Sequence, residues 1–216
     1  MKAPIKIKFI SDIACPWCPI GLKSLEEAIA RVSPSIQADI HFEPFEINPT
    51  MAKEGEDIDE HLVRKYGGKP ADFVSGRDAL RQRGQQVGFT FGFTRKRIYN
   101  TFDAHRLLHW AGTKDSATQH TLKMTLFTDY FTHGKDPSSE AVLVDAAVAA
   151  GLDAQEARRV LSTGQYATDV KRAEAKWRAM GINSVPAIII NDTHLISGGQ
   201  PADVFEQALR DVAASE

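Results

Sequence analysis

Cysteine is nearly missing from this chain: 216 residues hold two, Cys15 and Cys18. A framework of several disulfides stapling a small secreted scaffold is therefore out of reach. A zinc site is not supported either, because it needs further thiolate or imidazole ligands and the seven histidines are scattered; no metal is expected. No apolar run approaches the ~20 residues of a membrane span. Neither sign of charge dominates: 26 Lys and Arg face 28 Asp and Glu, a net charge of −2. That balance offers no electrostatic ground for binding nucleic acid or an anionic membrane. Internal repeats, low-complexity tracts and heptads are absent, so a monomer is the expectation. Met1-Lys2-Ala3-Pro4 leads into an alternating strand, with no apolar h-region and no small-residue cleavage site. A cytoplasmic location is expected, and in a reducing cytosol a close cysteine pair is catalytic, redox-sensing or metal-binding rather than a staple.

What remains is an ordinary globular composition, 43% hydrophobic and 25% charged, sufficient for a real core. Residues 5–11 read as a strand with Ile5, Ile7 and Phe9 on one face, 16–32 as a helix with Pro16 in its first turn, and 38–45 as a second strand stopped near Pro44. Such a β-α-β unit is parallel with a right-handed crossover. Helical patterns follow at 57–66, 71–87, 98–112, 116–132, 138–150, 153–162 and 166–180. Asp153 and Glu156 suggest a capping box, and Gly151, Gly164 and Gly181 sit at helix stops. A short strand at 185–190, a turn at Asn191-Asp192, a strand at 194–197 and a helix from Pro201 to about Ala213 close the chain. The fold class read from this order is α/β: β-α-β, then α-β-β-α, interrupted by a large all-helical insertion. The expected division is a split domain of residues 1–56 and 175–216 around an insertion of 57–174.

Cys15-Pro16-Trp17-Cys18 lies where the first strand hands over to the first helix. The free N–H groups and positive end of a helix N-terminus stabilise a thiolate, which is the nucleophilic form of cysteine. Cys15 is the expected nucleophile. Cys18, one turn later, is the expected resolving thiol.

With this dithiol, Val185-Pro186 and the helical block between them, the chain resembles the thioredoxin-like superfamily and its DsbA-type branch. The segments Ser11-Asp12-Ile13-Ala14-Cys15-Pro16-Trp17-Cys18, Phe45-Glu46-Ile47-Asn48-Pro49 and Asn100-Thr101-Phe102-Asp103-Ala104-His105-Arg106-Leu107 are similar to the FrnE group within that branch. The resemblance spans nearly the whole chain. It implies a dithiol–disulfide oxidoreductase or isomerase, acting on a disulfide- or thiol-containing protein or small molecule, with no bound cofactor and with glutathione as a possible redox partner. It also implies a cis peptide at Val185-Pro186, which turns the Val185 backbone toward an extended substrate beside Cys15, as in strand addition. Asn100, His105 and Arg106 are implied to face the active-site cleft. Two departures stand out. Pro19 occupies a position where the FrnE group often carries Tyr. Trp17 stands where the periplasmic DsbA enzymes carry His, so no imidazolium supports the thiolate and a less oxidising protein is expected.

Other residues leave alternatives open. Glu46 reads either as a partly buried acid relaying protons to Cys18 or as a strand-end surface residue. His105 and His109 share a helix face, but Arg106-Leu107-Leu108 between them is not a metalloprotease helix. Thr94-Arg95-Lys96-Arg97 is either a solvated loop or a holder of glutathione's carboxylates. Trp110, Phe127, Tyr130 and Phe131 read as insertion core. Against the dithiol reading stands a glutathione-dependent isomerase or transferase, of the 2-hydroxychromene-2-carboxylate isomerase or kappa glutathione transferase type, which steers glutathione with one Ser or Cys. A groove that only holds peptides is the non-enzymatic alternative.

Overall fold

The computed structural model describes residues 4–215. Strand β1 (Ile5–Ser11) lies at the centre of a four-stranded sheet. It pairs in parallel with β2 (Ala38–Pro44) and antiparallel with β5 (Ala187–Ile190), which pairs antiparallel with the edge strand β6 (His194–Ser197). Successive strand side chains point to opposite faces, and the sequence uses both. Ile5, Ile7 and Phe9, with Ile188 and Ile190, share a core cluster with Leu22 and Leu25 of α1 (Trp17–Val32) and with Phe205, Leu209 and Val212 of α9 (Ala202–Ser215). Ile10, Ala187 and Ile189 point the other way and close a second cluster with Phe45, Ile182 and the buried Trp177.

Between β2 and β5 run α2 (Ile58–Tyr66), α3 (Val74–Gln86), α4 (Phe102–Gly112), α5 (Ser116–Phe127), α6 (Glu140–Ala149), α7 (Ala154–Ser162) and α8 (Ala167–Ala179). Four departures from the sequence reading have local causes. The insertion is not all-helical: β3 (Glu56–Asp57) pairs antiparallel with β4 (Arg97–Ile98). The helix expected over 98–112 begins only at Phe102, because Ile98 belongs to that ladder and Asn100 Oδ1 accepts the Phe102 N–H at 2.9 Å. The helix expected over 71–87 is preceded by a 3₁₀ turn, Pro70–Phe73. The helix expected over 116–132 relaxes into a π turn at Thr128–Thr132. Asp153 does cap α7, accepting the Glu156 N–H at 2.8 Å. Residues 174 and 175 both lie inside the continuous α8.

Two side chains fasten the insertion together and to the sheet. Gln119 of α5 grips β2, accepting the Phe42 N–H and donating to the Phe42 carbonyl, both at 3.1 Å. Arg106 of α4, buried, donates to the Val160 and Leu161 carbonyls at the C-terminal end of α7, where helix carbonyls otherwise lack partners, and to the Gln165 carbonyl in the turn beyond it.

Candidate active site

After β1 the chain turns at Asp12, whose carbonyl accepts the Cys15 N–H at 3.3 Å; the Cys15 carbonyl accepts the Cys18 N–H at 3.1 Å. Pro16 sits at the N-cap of α1 rather than inside its first turn. Both thiols are free. Cys15 is 6% exposed and donates from Sγ to the Val185 carbonyl at 3.2 Å, while Cys18 is fully buried. Burial, and then the neighbouring Cys15 thiol, push the Cys18 thiol well above its ordinary pKa.

The Val185–Pro186 peptide is cis. Its loop lies against α1 through two glycines: a Cβ on Gly21 would sit 3.0 Å from Pro186 Cγ and 3.2 Å from Gly199 Cα. A side chain at 21 would make helix or loop give way by a few tenths of an ångström.

Cys15, Pro16, Trp17 and Val185 line a groove of about 740 Å³. Trp17, 47% exposed, stands at its edge. Further lining comes from Tyr66 of α2, Phe73 of the 3₁₀ turn and Leu80 of α3. Arg77, Arg95 and Arg178 bring positive charge to the same groove. Of the basic run at 94–97, Arg95 also stacks on Tyr130 and Phe131, and Arg97 donates to the Glu54 and Gly55 carbonyls.

Behind the dithiol lies a polar cluster. Asp12 is buried and accepts from the Ala14 N–H at 3.1 Å, the Ile47 N–H at 2.7 Å and the Thr101 hydroxyl at 2.7 Å; His105 Nε2 lies 3.4 Å away. Burial raises this carboxyl, but His105 and the backbone donors outweigh it and hold Asp12 below the usual carboxylate range. Lys123 of α5 is also fully buried, its ammonium 4.9 Å from the centre of the Phe127 ring. Burial brings it down to about 8, opposed by the charges of Cys18, Asp12 and Cys15. Glu46 lines the groove, and burial, then Glu174 and Asp12, raise it to about 8. Glu174 accepts the Glu46 N–H at 2.8 Å.

Cys15, Pro16, Trp17, Val185 and Glu46 thus meet around one groove. Asn100, His105 and Arg106 do not line it. Asn100 donates to the Met51 carbonyl and caps the start of α4; His105 sits behind, against Asp12; Arg106 is spent on α7. Asn100 precedes α4, His105 points from α4 toward the end of β1, and only Arg106 turns into the insertion. Sequence reasoning passed over Asp12 and Lys123 as site residues. A signal for Lys123 was available: helical spacing from Gln119 through Leu122 to Leu126 places it on the buried side of α5. Among the described residues no cluster of three or more His, Cys, Asp or Glu could hold a metal ion. No described helix is long and apolar enough to cross a membrane.

A mixed sheet split by helices, with a cysteine pair at the start of α1, defines a thioredoxin-type domain. Residues 6–210 match the DSBA-like thioredoxin domain, and the chain belongs to that family. The crystal structure of a "probable DsbA oxidoreductase" from Streptomyces coelicolor is similar at 32% identity and a TM-score of 0.89, covering 98% of this chain and 91% of that one. The uncharacterized protein YwbO of Bacillus subtilis (strain 168) is 26% identical over 210 residues, 96% of each chain. The cytosolic disulfide reductase DsbM of Pseudomonas aeruginosa, solved with GSH, shares the fold at a TM-score of 0.67 and 13% identity, over 97% of this chain and 99% of that one.

Proposed function

We propose that this chain is a dithiol–disulfide oxidoreductase with Cys15 as nucleophile and Cys18 as resolving thiol. The observation that carries the reading is the asymmetry of the pair: Cys15 meets a groove large enough for a peptide, and Cys18 is sealed behind it. The Cys15 thiolate attacks a substrate disulfide, forming a mixed disulfide and releasing one substrate thiol. The Cys18 thiolate then attacks the Cys15 sulfur, the Cys15–Cys18 bond forms, and the second substrate sulfur leaves with the electron pair and takes up a proton. Two glutathione thiols return the protein to the dithiol, leaving oxidised glutathione. Arg77, Arg95 and Arg178 supply guanidinium groups suited to the carboxylates of glutathione or of an acidic substrate. Once Cys15 is a thiolate its hydrogen bond to the Val185 carbonyl is released, and that carbonyl pairs with an extended substrate backbone. A location in the cytoplasm fits reduction or isomerisation.

The test is turnover of insulin disulfides with glutathione by Cys15→Ser and Cys18→Ser. Both variants are expected to lose turnover, and Cys18→Ser to accumulate a mixed disulfide at Cys15. Full activity in Cys18→Ser would favour the single-thiol glutathione isomerase reading, and full activity in both would leave only a binding groove.

A further inference from the structure

We infer that residues 58–97 form a docking surface for acidic polypeptides, in which Arg77, Arg81 and Arg95 hold a carboxylate side chain of the disulfide-bearing substrate. The inference rests on the oxidoreductase reading above and narrows its substrate class to protein. Residues 58–97 carry nine Lys and Arg against four Asp and Glu. That is a balance of +5 in a chain of −2, so the remainder stands at −7. A charge division of this kind guides an oppositely charged partner to one face. Ion pairs take up Arg64, Arg77 and Arg81, while the other six cations make none among the described residues. Lys69, Arg83 and Lys96 line neither the groove nor the side cavity described next. Their charge meets a polypeptide that extends past the groove, and not a tripeptide that only fills it.

The side cavity, of about 110 Å³, shares Ile58, Arg77, Leu80 and Arg95 with the groove, which ties its occupant to the ligand beside Cys15. A larger cavity, of about 210 Å³ between β2, α4 and α5, shares no lining residue with the groove and has no such tie. Three guanidinium groups meet in the side cavity. Arg95 lies 5.1 Å from the centres of both the Tyr130 and Phe131 rings and donates to the Tyr130 hydroxyl at 3.1 Å, with no carboxylate paired to it among the described residues. Its loop is pinned to the π turn, a device common at functional sites. The Gly92 N–H donates to the Phe131 carbonyl at 2.9 Å, the Thr132 hydroxyl to the Thr90 carbonyl at 2.6 Å, and a Cβ on Gly92 would strike the Thr132 carbonyl. Arg95 is thus held in place before any ligand arrives, which lowers the ordering cost of binding. Arg77 pairs with Asp59, yet its Nε is buried without an acceptor. Arg81 lies 4.1 Å from the centre of the Phe93 ring, itself 80% exposed, so an apolar contact stands next to the charge. A carboxylate matches the planar fork of a guanidinium and supplies the acceptors these groups lack.

The test uses two synthetic peptide disulfides, identical except that the Glu residues flanking the cystine in one are Gln in the other. Mixed-disulfide formation at Cys15 is expected to run about 10-fold faster with the Glu peptide at low ionic strength, and the advantage to shrink in high salt. Arg95→Gln and Arg81→Gln are each expected to cut that advantage to about 2–3-fold, a loss in the range of one charged hydrogen bond. Arg210→Gln, on α9 and lining neither cavity, is expected to keep it. The rate with glutathione disulfide is expected to be unchanged in Arg81→Gln, and a matching loss there would assign the arginines to glutathione and overturn the proposal. Equal rates for the two peptides, an advantage that survives both substitutions, or one that falls as far in Arg210→Gln also overturns it. Should Arg95→Gln not fold, Arg81→Gln, at a half-exposed position, decides alone. If neither peptide forms a mixed disulfide, the oxidoreductase reading falls instead. Fluorescence anisotropy with the same peptides carrying Ser for Cys then decides the docking surface, and binding without a Glu-over-Gln preference overturns it. A single-stranded oligonucleotide of matching charge that binds as tightly would make this face a general polyanion site and overturn the assignment to protein.

Discussion

Glu46 and Trp17 flank Cys15 in the groove and make separable expectations. The Glu46 carboxyl titrates at about 8, above the 4.5 of an unperturbed glutamate, so the folded state holds its proton more tightly than the unfolded chain. The favourable contribution of that proton is present below pH 4.5 and is lost as pH rises toward 8. Glu46→Gln is therefore expected to melt with the parent at pH 5 and a few degrees above it at pH 8.5, read by calorimetry. Trp17 carries no charge, and Trp17→His places a titratable imidazole between the cysteines. Its imidazolium stabilises the reduced form, so the reduction potential against glutathione is expected to rise by about 30 mV or more, equivalent to ~1.4 kcal/mol. A fall or no change would remove the imidazole argument. At this scale the cysteine pair was plain in the sequence because its spacing and its place between strand and helix carry the chemistry. Lys123 was obscured, because a lysine in a helix is ordinarily read as solvated, although its spacing from Gln119, Leu122 and Leu126 puts it on the buried side of α5.

Elements were legible where one periodicity governs them. The alternation of β1 and β5 and the apolar face of α9 correspond to side chains in the two core clusters. Boundaries shifted where a side chain competed with the backbone, as Asn100 does ahead of α4, or where partners distant in sequence paired, as β3 and β4 do. The contact between α1 and the Val185–Pro186 loop belongs to this scale as well. Gly21→Leu inserts a side chain where a Cβ alone already meets Pro186 at 3.0 Å. The expected cost is about 1–3 kcal/mol of stability, typical of overpacking. The rate of mixed-disulfide formation should fall further than in Gly151→Ala, a control that also strains the backbone, at φ 82°, but meets no atom within 4 Å of the added Cβ. Equal rates would show that the loop yields without disturbing Cys15.

Across the whole molecule, the thioredoxin-type frame was readable from the order of strands and helices, whereas the way the insertion completes the site was not. Asp12 joins the end of β1 to Ile47 and, through Thr101, to the start of α4; Gln119 joins α5 to β2. These are contacts between residues 35 to 89 positions apart, invisible to any local pattern. Asp12→Asn exchanges an acceptor-only carboxylate for an amide that has N–H groups facing other donors. A loss of about 1.5–3 kcal/mol is expected in denaturant unfolding at pH 7. Because burial is outweighed by His105 and the backbone donors, the native carboxyl sits below 3.8, and its stabilisation is present above that value and lost as pH falls through the folded pKa. The gap between parent and variant should narrow in acid. The separation of the groove from the cavity behind it in the insertion has a pharmacological consequence. A compound filling the groove would compete with the disulfide substrate and raise KM. One lodged near Gly112 and Thr113, in the cavity of about 210 Å³ between β2, α4 and α5 that shares no lining residue with the groove, would not compete with the disulfide, so the inhibition pattern itself would report which cavity a ligand had entered.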